Sequence, residues 1–384
     1  MFERLIDIPL KSRKSFFLFG PRGTGKTTWL KRHLPQALFF NLLQSDPYNR
    51  LSATPGLIRE MIPPDYRDWI VIDEIQRIPE LLNEVHDLIE SEQHIFILTG
   101  SSARKLRQKG VNLLAGRALT YFLHPLTAKE QEDSFDISQS LQFGHLPARF
   151  SESDPLKYLK DYIQTYIREE VLQESLTRNI GHFSRFLEVA SFSQGSILNI
   201  SEIAREANIQ RVTAENYFSI LEDLLIGVYL PVFTRKAKRK MTRHQKFYYF
   251  DTGVFRAIRP VGPLDSDGEI DGPALETLVL QELRAVNDYL GFDYELYFWR
   301  TKNGLEVDFV LYGPRGLIAI EVKRSSQVHP KNLRALKEFK KDYAAAKCYL
   351  FYGGKTTLFL NEVTVLPIKH ALRNLDELLM LHEV

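Results

Sequence analysis

Residues 15–28 read SFFLFGPRGTGKTT. The stretch divides into an apolar run, a glycine-punctuated turn and the start of a helix. Phe16, Phe17, Leu18 and Phe19 are apolar without a break, which suits a parallel strand covered on both faces. From Gly20 the residues fit G-x-x-x-x-G-K-T, the spacing of a loop that cradles phosphate. Gly20, Gly23 and Gly25 free the backbone to curl its N–H groups around phosphate oxygens, with Pro21, Arg22 and Thr24 between them. A helix starting near Lys26 aims its positive dipole end at the same point. Lys26 is expected to reach the β and γ phosphates, and Thr27, followed by Thr28, to offer a hydroxyl to Mg²⁺. ATP and Mg²⁺ are therefore the predicted cofactors, with all of residues 20–28 lining the nucleotide.

The helix is expected to run on until Pro35, which cannot continue the hydrogen-bond ladder. Residues 37–43, ALFFNLL, read as a second buried strand. Residues 69–72 then deliver Asp73 and Glu74, in the order WIVIDE. Open α/β sheets bind ligands beyond the carboxyl ends of their strands. Asp73 is thus expected in the Mg²⁺ shell and Glu74 beside the attacking water. The plainer alternative is that both acids open the next helix, since acids favour helix N-termini. The apolar run at 94–98 ends in Thr99, Gly100, Ser101 and Ser102. A hydroxyl there, at Ser101, would sense the γ-phosphate or orient the water; equally, Ser101 or Ser102 would cap the following helix. Arg117 precedes a fifth strand over 118–123. It would stabilise transition-state charge in its own subunit or a neighbour's, or simply be solvated like most arginines.

In this order and spacing, GPRGTGKT, WIVIDEIQRIP, ILTGSSARKL and LAGR resemble the AAA-type ATPases of bacteria and archaea that carry a restriction-endonuclease-like domain at the C-terminus. The resemblance implies a P-loop over 20–27, Walker B acids at Asp73 and Glu74, and a sensor at Ser101. Several AAA-type enzymes work as rings, so a homo-oligomer is among the expectations, and a finger role for Arg117 would need one.

At 384 residues the chain has room for about two to three domains. Its composition, 44% hydrophobic and 26% charged, is that of an ordinary globular protein rather than a disordered one. A net charge of +2 means that affinity for nucleic acid must come from a local patch. The single Cys348 excludes an internal disulfide and a cysteine metal cluster. No run approaches about 18 apolar residues. A cytoplasmic protein with no membrane partner is expected.

Residues 1–150 are expected to form the ATPase domain and 151–180 a helical lid or connector. Over 181–258, two short helices joined by a tight turn and followed by an apolar strand give the pattern of a winged helix-turn-helix. After that strand runs RKAKRKMTRHQK, with seven lysines and arginines and no acid: Arg235, Lys236, Lys238, Arg239, Lys240, Arg243 and Lys246. As a wing this run would make DNA phosphate contacts that position a duplex without reading it. As a solvated hairpin it would make none.

Residues 259–384 open with a Gly-, Pro- and Asp-rich stretch at 261–273, read as a loop, then a helix from about Ala274 bearing Glu276. LYFWRTK, the pair Asn303-Gly304, LEVDFVLY, a short loop and LIAIEVK predict three antiparallel strands. Pairing Tyr312 with Leu317 puts Asp308 opposite Glu321, with Lys323 on the same face. Like charges placed opposite destabilise a sheet unless a cation intervenes, and two carboxylates are a usual Mg²⁺ holder. Asp308 and Glu321 are the expected metal ligands. Lys323 would act on a phosphoryl oxygen or the attacking water, and Glu276 would add a third carboxylate. This E…D…ExK set is similar to that of restriction-endonuclease-like nucleases. The expected fold is thus α/β: a P-loop NTPase with a parallel sheet, a helical lid and winged helix-turn-helix, and a mixed α/β restriction-endonuclease-like domain. The expected function is a Mg²⁺-dependent ATPase that binds DNA and couples hydrolysis to the nuclease-like domain; the alternative is an ATP-driven switch or scaffold whose carboxylates do no chemistry.

Overall fold

The computed structural model describes residues 2–102, 114, 117–167, 171, 179–237, 239, 241, 244–263 and 265–380. The chain divides into two compact units, one of residues 6–124 with 223–225 and one of residues 1–5, 125–222 and 226–384. In the first, β1 (Phe16–Phe19), β2 (Leu38–Asn41), β3 (Trp69–Asp73), β4 (Ile95–Gly100) and β5 (Leu119–Phe122) lie in the order β2-β3-β4-β1-β5. All four pairings are parallel. β1, β3 and β4 are buried along their whole length, which explains why they read as unbroken apolar runs. The helices Lys26–His33 and Leu81–Glu92 return the chain between strands. Leu81, Leu82, Val85 and Leu88 of the latter pack with Phe17, Ile70 and Leu98 in one core.

The second unit contains the helices Ile180–Ser191, Ile200–Glu206 and Arg211–Asp223, followed by β6 (Gly227–Leu230) and β7 (Lys246–Tyr249), paired antiparallel. A mixed sheet then forms from β8 (Glu295–Arg300), β9 (Glu306–Gly313), β10 (Gly316–Lys323), β11 (Lys347–Tyr352), β12 (Leu358–Leu360) and β13 (Val363–Pro367), in the order β12-β13-β11-β10-β9-β8. β10, β11 and β13 are parallel neighbours, while β8–β9, β9–β10 and β12–β13 pair antiparallel. Among the described residues no helix is long and apolar enough to cross a membrane.

Two expected boundaries move. Residues 125–150 pack in the second unit rather than in the ATPase unit. Buried hydrogen bonds hold them there: His145 N–H donates to Asp251 Oδ2 at 2.7 Å, and Ala128 N–H to Glu282 Oε1 at 2.8 Å. Gly253 permits this close approach, because a Cβ there would lie 2.3 Å from the Phe143 carbonyl oxygen. Gly253→Ala should therefore cost about 2 kcal/mol by overpacking, read as a lowered denaturation midpoint of this unit. The second shift concerns the stretch 261–273 read as a loop: the helix spans Asp267–Leu290 and contains Pro273. A reciprocal capping box between Ser266 and Glu269 starts it early, and the Thr277 hydroxyl donates to the Pro273 carbonyl at 2.7 Å. The lid expected over 151–180 is described in part, as the helix Pro155–Asp161 and a π-helical turn Tyr162–Ile167; residues 168–170 and 172–178 lie outside the described residues.

Candidate nucleotide site and carboxylate cluster

The loop after β1 takes its shape from its glycines. Gly23 and Gly25 have φ of 81° and 93°, a region other residues enter only at a cost. At Gly20 a Cβ would lie 2.3 Å from the Leu123 carbonyl oxygen. Thr24 is buried and its hydroxyl donates to the Pro21 carbonyl at 2.8 Å, while Arg22 and Thr28 are exposed. The helix begins at Lys26, with Gly25 at its N-cap. Lys26 is only 5% exposed, and its ammonium donates to the carbonyls of Gly20 at 2.7 Å and Pro21 at 3.3 Å. Those carbonyl oxygens stand where phosphate oxygens would compete for the same charge.

β3 ends beside this loop. The Thr27 hydroxyl donates to Asp73 Oδ2 at 2.8 Å, and the Thr99 hydroxyl to Asp73 Oδ1. A hydroxyl and a carboxylate converging beside a phosphate loop form a donor set suited to Mg²⁺, which is held by oxygen. Glu74 has φ 65° and ψ 49°, a left-handed conformation for a residue with a side chain. Such strain persists only where surroundings impose it. Here the imposing contacts are the Glu74 N–H to Thr99 Oγ1 at 3.2 Å and two side-chain donors on Glu74 Oε2: Gln76 Nε2 at 2.5 Å and Ser101 Oγ at 3.3 Å. Gln76 Nε2 also donates to Ser101 Oγ at 3.0 Å. Ser101 thus faces Glu74. The residues whose helix it would have capped begin at 103, outside the described residues. Sequence alone does not single out Gln76; its one signal is its place two residues after the acid, on the 3₁₀ turn Ile75–Arg77.

Arg117 is not at this site within its own chain. It precedes β5, whose first residue Leu119 pairs with Phe16, at the amino end of β1 and opposite the phosphate loop. Its guanidinium is paired with Glu90, near the C-terminus of the helix Leu81–Glu92. The sheet's direction places the start of β5, and Arg117 just before it, at the end of β1 away from the loop.

In the second unit the β9–β10 register is the expected one, from Leu317↔Tyr312 to Ile320↔Phe309. The next step along both strands brings Asp308 and Glu321 together. Lys323 Nζ lies 2.7 Å from Glu321 Oε1 and 3.8 Å from Asp308 Oδ2, and Val322 N–H donates to Asp308 Oδ2 at 2.8 Å. Glu321 Oε2 is buried without a partner. Burial, then the Asp308 charge, push the Glu321 carboxyl up to about 8 against the pull of Lys323. Glu276, half-buried on the helix Asp267–Leu290, is pushed up to about 7 by burial despite Lys246, with Asp308 adding to the rise. The orphaned Glu321 oxygen and the mutual repulsion fit a divalent cation. Among the described residues, however, no group of three or more His, Cys, Asp or Glu side chains is arranged to hold a metal. Two ammonium groups lie among the carboxylates instead.

The second of these is Lys246, and it corrects the reading of the basic run. Lys246 is 2% exposed, with Nζ 2.5 Å from Glu306 Oε1 and 3.5 Å from Glu276 Oε2. Burial alone would lower its pKa, but Glu276, Asp308 and Glu306 raise it, so it stays charged. The Tyr248 hydroxyl donates to Glu276 Oε2 at 2.8 Å. The segment before it is tied down at two points: Val232 bridges Phe298 in β8, and Met241 bridges Thr301 just after it. Arg235 pairs with Glu295 at 2.6 Å, and Arg239 with Glu338 at 2.8 Å and Asp342 at 2.6 Å. Lys236 is exposed. Lys238, Lys240 and Arg243 lie outside the described residues. Three charges expected to meet phosphate are thus spent on carboxylates.

Comparison with known proteins agrees with the first unit. Residues 12–132 match the model of an AAA domain, and the parallel five-stranded sheet fits a P-loop NTPase core; this part of the chain is AAA-type and ATPase-like. Residues 135–265 and 271–371 each match a domain of unknown function, DUF8612 and DUF4143. An uncharacterized protein of Mycobacterium tuberculosis is 26% identical over 378 residues, covering 95% of this chain and 82% of that one. One from Haemophilus influenzae is 22% identical over 219 residues, covering 52% of this chain and 55% of that one. Among solved structures, the Aeropyrum pernix Orc1 protein in complex with DNA is 15% identical, with 64% of this chain and 86% of that one covered and a TM-score of 0.26. A Vibrio cholerae protein is 12% identical, with 95% and 97% covered and a TM-score of 0.24. Scores this low carry no weight for fold or function.

Proposed function

We propose that this chain is a cytoplasmic, Mg²⁺-dependent ATPase that binds DNA and couples nucleotide turnover to its C-terminal, nuclease-like domain. The observation that supports it best is the convergence of Lys26, Thr27, Asp73 and Glu74 at the carboxyl edge of one parallel sheet. In this reading Lys26 exchanges the Gly20 and Pro21 carbonyls for phosphate oxygens. Thr27 and Asp73 would hold Mg²⁺, which supplies charge to the β and γ phosphates when bound. Glu74 accepts a proton from the attacking water, and Gln76 with Ser101 fixes the carboxylate that does so. Arg117 acts, if the chain assembles, on a neighbour's nucleotide. The helices over 180–223 with β6 and β7 serve as a winged helix-turn-helix. The test is phosphate release from ATP with Mg²⁺, alone and with branched, duplex or single-stranded DNA. Release that DNA accelerates is expected, and none under any condition would sink the proposal.

Gln76 gives this reading a sharper check. Gln76→Leu should lower kcat about tenfold by loosening the base, while ATP affinity stays within about twofold, because Gln76 touches Glu74 and Ser101 rather than the phosphate loop. A rise in KM with unchanged kcat would contradict the assignment.

A second reading is favoured by Lys246. With its ammonium between Glu276 and Glu306, and that of Lys323 beside Glu321, the cluster is internally compensated. The domain would then be a nucleic-acid-binding scaffold moved by the ATPase.

A further inference from the structure

A cavity of about 820 Å³ opens where Lys129, Glu132, Lys355, Thr357, Lys369 and Arg373 come together. Its place in the sheet matters. β10, β11 and β13 run parallel, and Lys323, Tyr352 and Pro367 stand side by side at their carboxyl ends. Pro367 lines the cavity, so the cavity lies two strand spacings, about 10 Å, along the same edge from Lys323. Ligands of parallel strands gather at this edge.

The walls are built for negative charge. Four cationic side chains face one carboxylate. Lys129 and Arg373 are balanced by Asp376 and Asp133. Lys355 and Lys369 are exposed, and neither forms an ion pair among the described residues. The loop that carries Lys355, Gly353-Gly354-Lys355-Thr356-Thr357, is held in place. Gly353 N–H donates to the Ser325 carbonyl at 3.0 Å, and the Tyr352 hydroxyl donates to the Thr356 carbonyl at 2.6 Å. A Cβ on Gly353 would lie 2.1 Å from the Arg324 carbonyl oxygen. His370 is the nearest approach to a stacking ring, and among the described residues no Phe, Tyr or Trp lines the space. Recognition of bases in single strands relies on such rings, whereas phosphate contacts need only cations and donors.

We propose that this cavity grips the phosphodiester backbone of a nucleic-acid strand, without reading its bases, and holds it beside the edge that carries Asp308, Glu321 and Lys323. The inference rests on the reading of the chain as a DNA-binding protein and moves the phosphate contacts from the basic run at 235–246, where the guanidinium groups of Arg235 and Arg239 are already paired, to Lys355 and Lys369.

The test is binding of a labelled single-stranded oligonucleotide by the full chain across a series of NaCl concentrations. In Lys355→Gln/Lys369→Gln, affinity should fall about tenfold and the log–log salt slope should become shallower by about 1.4, at roughly 0.7 for each phosphate that is no longer neutralised. Arg235→Gln/Arg239→Gln should keep the wild-type slope. Unchanged thermal unfolding of both variants guards against misfolding. Equal affinity and slope in wild type and the lysine variant overturn the proposal, as does loss of slope in the arginine variant alone. A wild-type protein that binds no DNA at all overturns the DNA-binding reading itself, and this proposal with it. Displacement of the DNA by pyrophosphate only in the wild type supports phosphate as the recognised group.

Discussion

Lys26→Ala protein should release phosphate from ATP at least about a hundredfold more slowly than wild type, the scale of losing one preorganised donor at a transition state. Its ammonium is already desolvated and bonded to two loop carbonyls, so phosphate oxygens replace existing partners and no hydration shell has to be removed. ATP affinity should fall as well, because the charge meets the nucleotide before and during the reaction. Glu74→Gln separates the two effects. It keeps the size of the side chain and leaves Lys26 and Thr27 untouched, but it removes the base. Its expected signature is near-normal ATP binding with turnover reduced about a hundredfold or more. Turnover by Lys26→Ala at the wild-type rate would remove the phosphate-loop assignment. Equal loss of binding in both variants would point to collapse of the site rather than to separate roles.

The parts of this architecture that the sequence displays are those in which neighbours in sequence are neighbours in space. The strand, loop and helix at residues 16–33 occupy one contiguous stretch, and the apolar runs of β3 and β4 state their burial directly. The β9–β10 register is also local, since a short loop fixes which residues face each other. What the sequence hides is where charges go over distance. Arg235 finds Glu295 across 60 residues, and Arg239 finds Asp342 across 103. In a run of seven cations without an acid, Arg235 and Arg239 look free because their acids lie in β8 and the helix Arg334–Asp342. The boundary near 124 is hidden in the same way, since the bond from His145 to Asp251 spans 106 residues. Gln76 is hidden for a different reason: an amide has no spacing rule, and its role comes from a turn that folds it back on Glu74.

Asp308→Asn and Glu321→Gln are expected to abolish any Mg²⁺- or Mn²⁺-dependent cleavage of DNA, since they remove the carboxylates best placed for a cation. An identical product pattern in wild type and both variants would mean that the cluster does no chemistry. Lys246 then decides what the cluster is for. Removing one partner from a buried ion pair leaves the other charge uncompensated and costs about 3 to 5 kcal/mol. Lys246→Met should therefore unfold at a lower temperature in chelator, because Glu276 and Glu306 lose the ammonium between them. If the site takes a divalent metal, adding Mg²⁺ or Mn²⁺ should restore much of that loss through binding to the folded form alone, and the gain should exceed that seen in wild type. If the cluster is a metal-free scaffold, the variant should stay equally unstable in chelator and in metal. The two readings of the domain thus part on melting in chelator and in metal, without any assay of cleavage, because Glu276, which Lys246 neutralises, is also the third carboxylate of the metal reading.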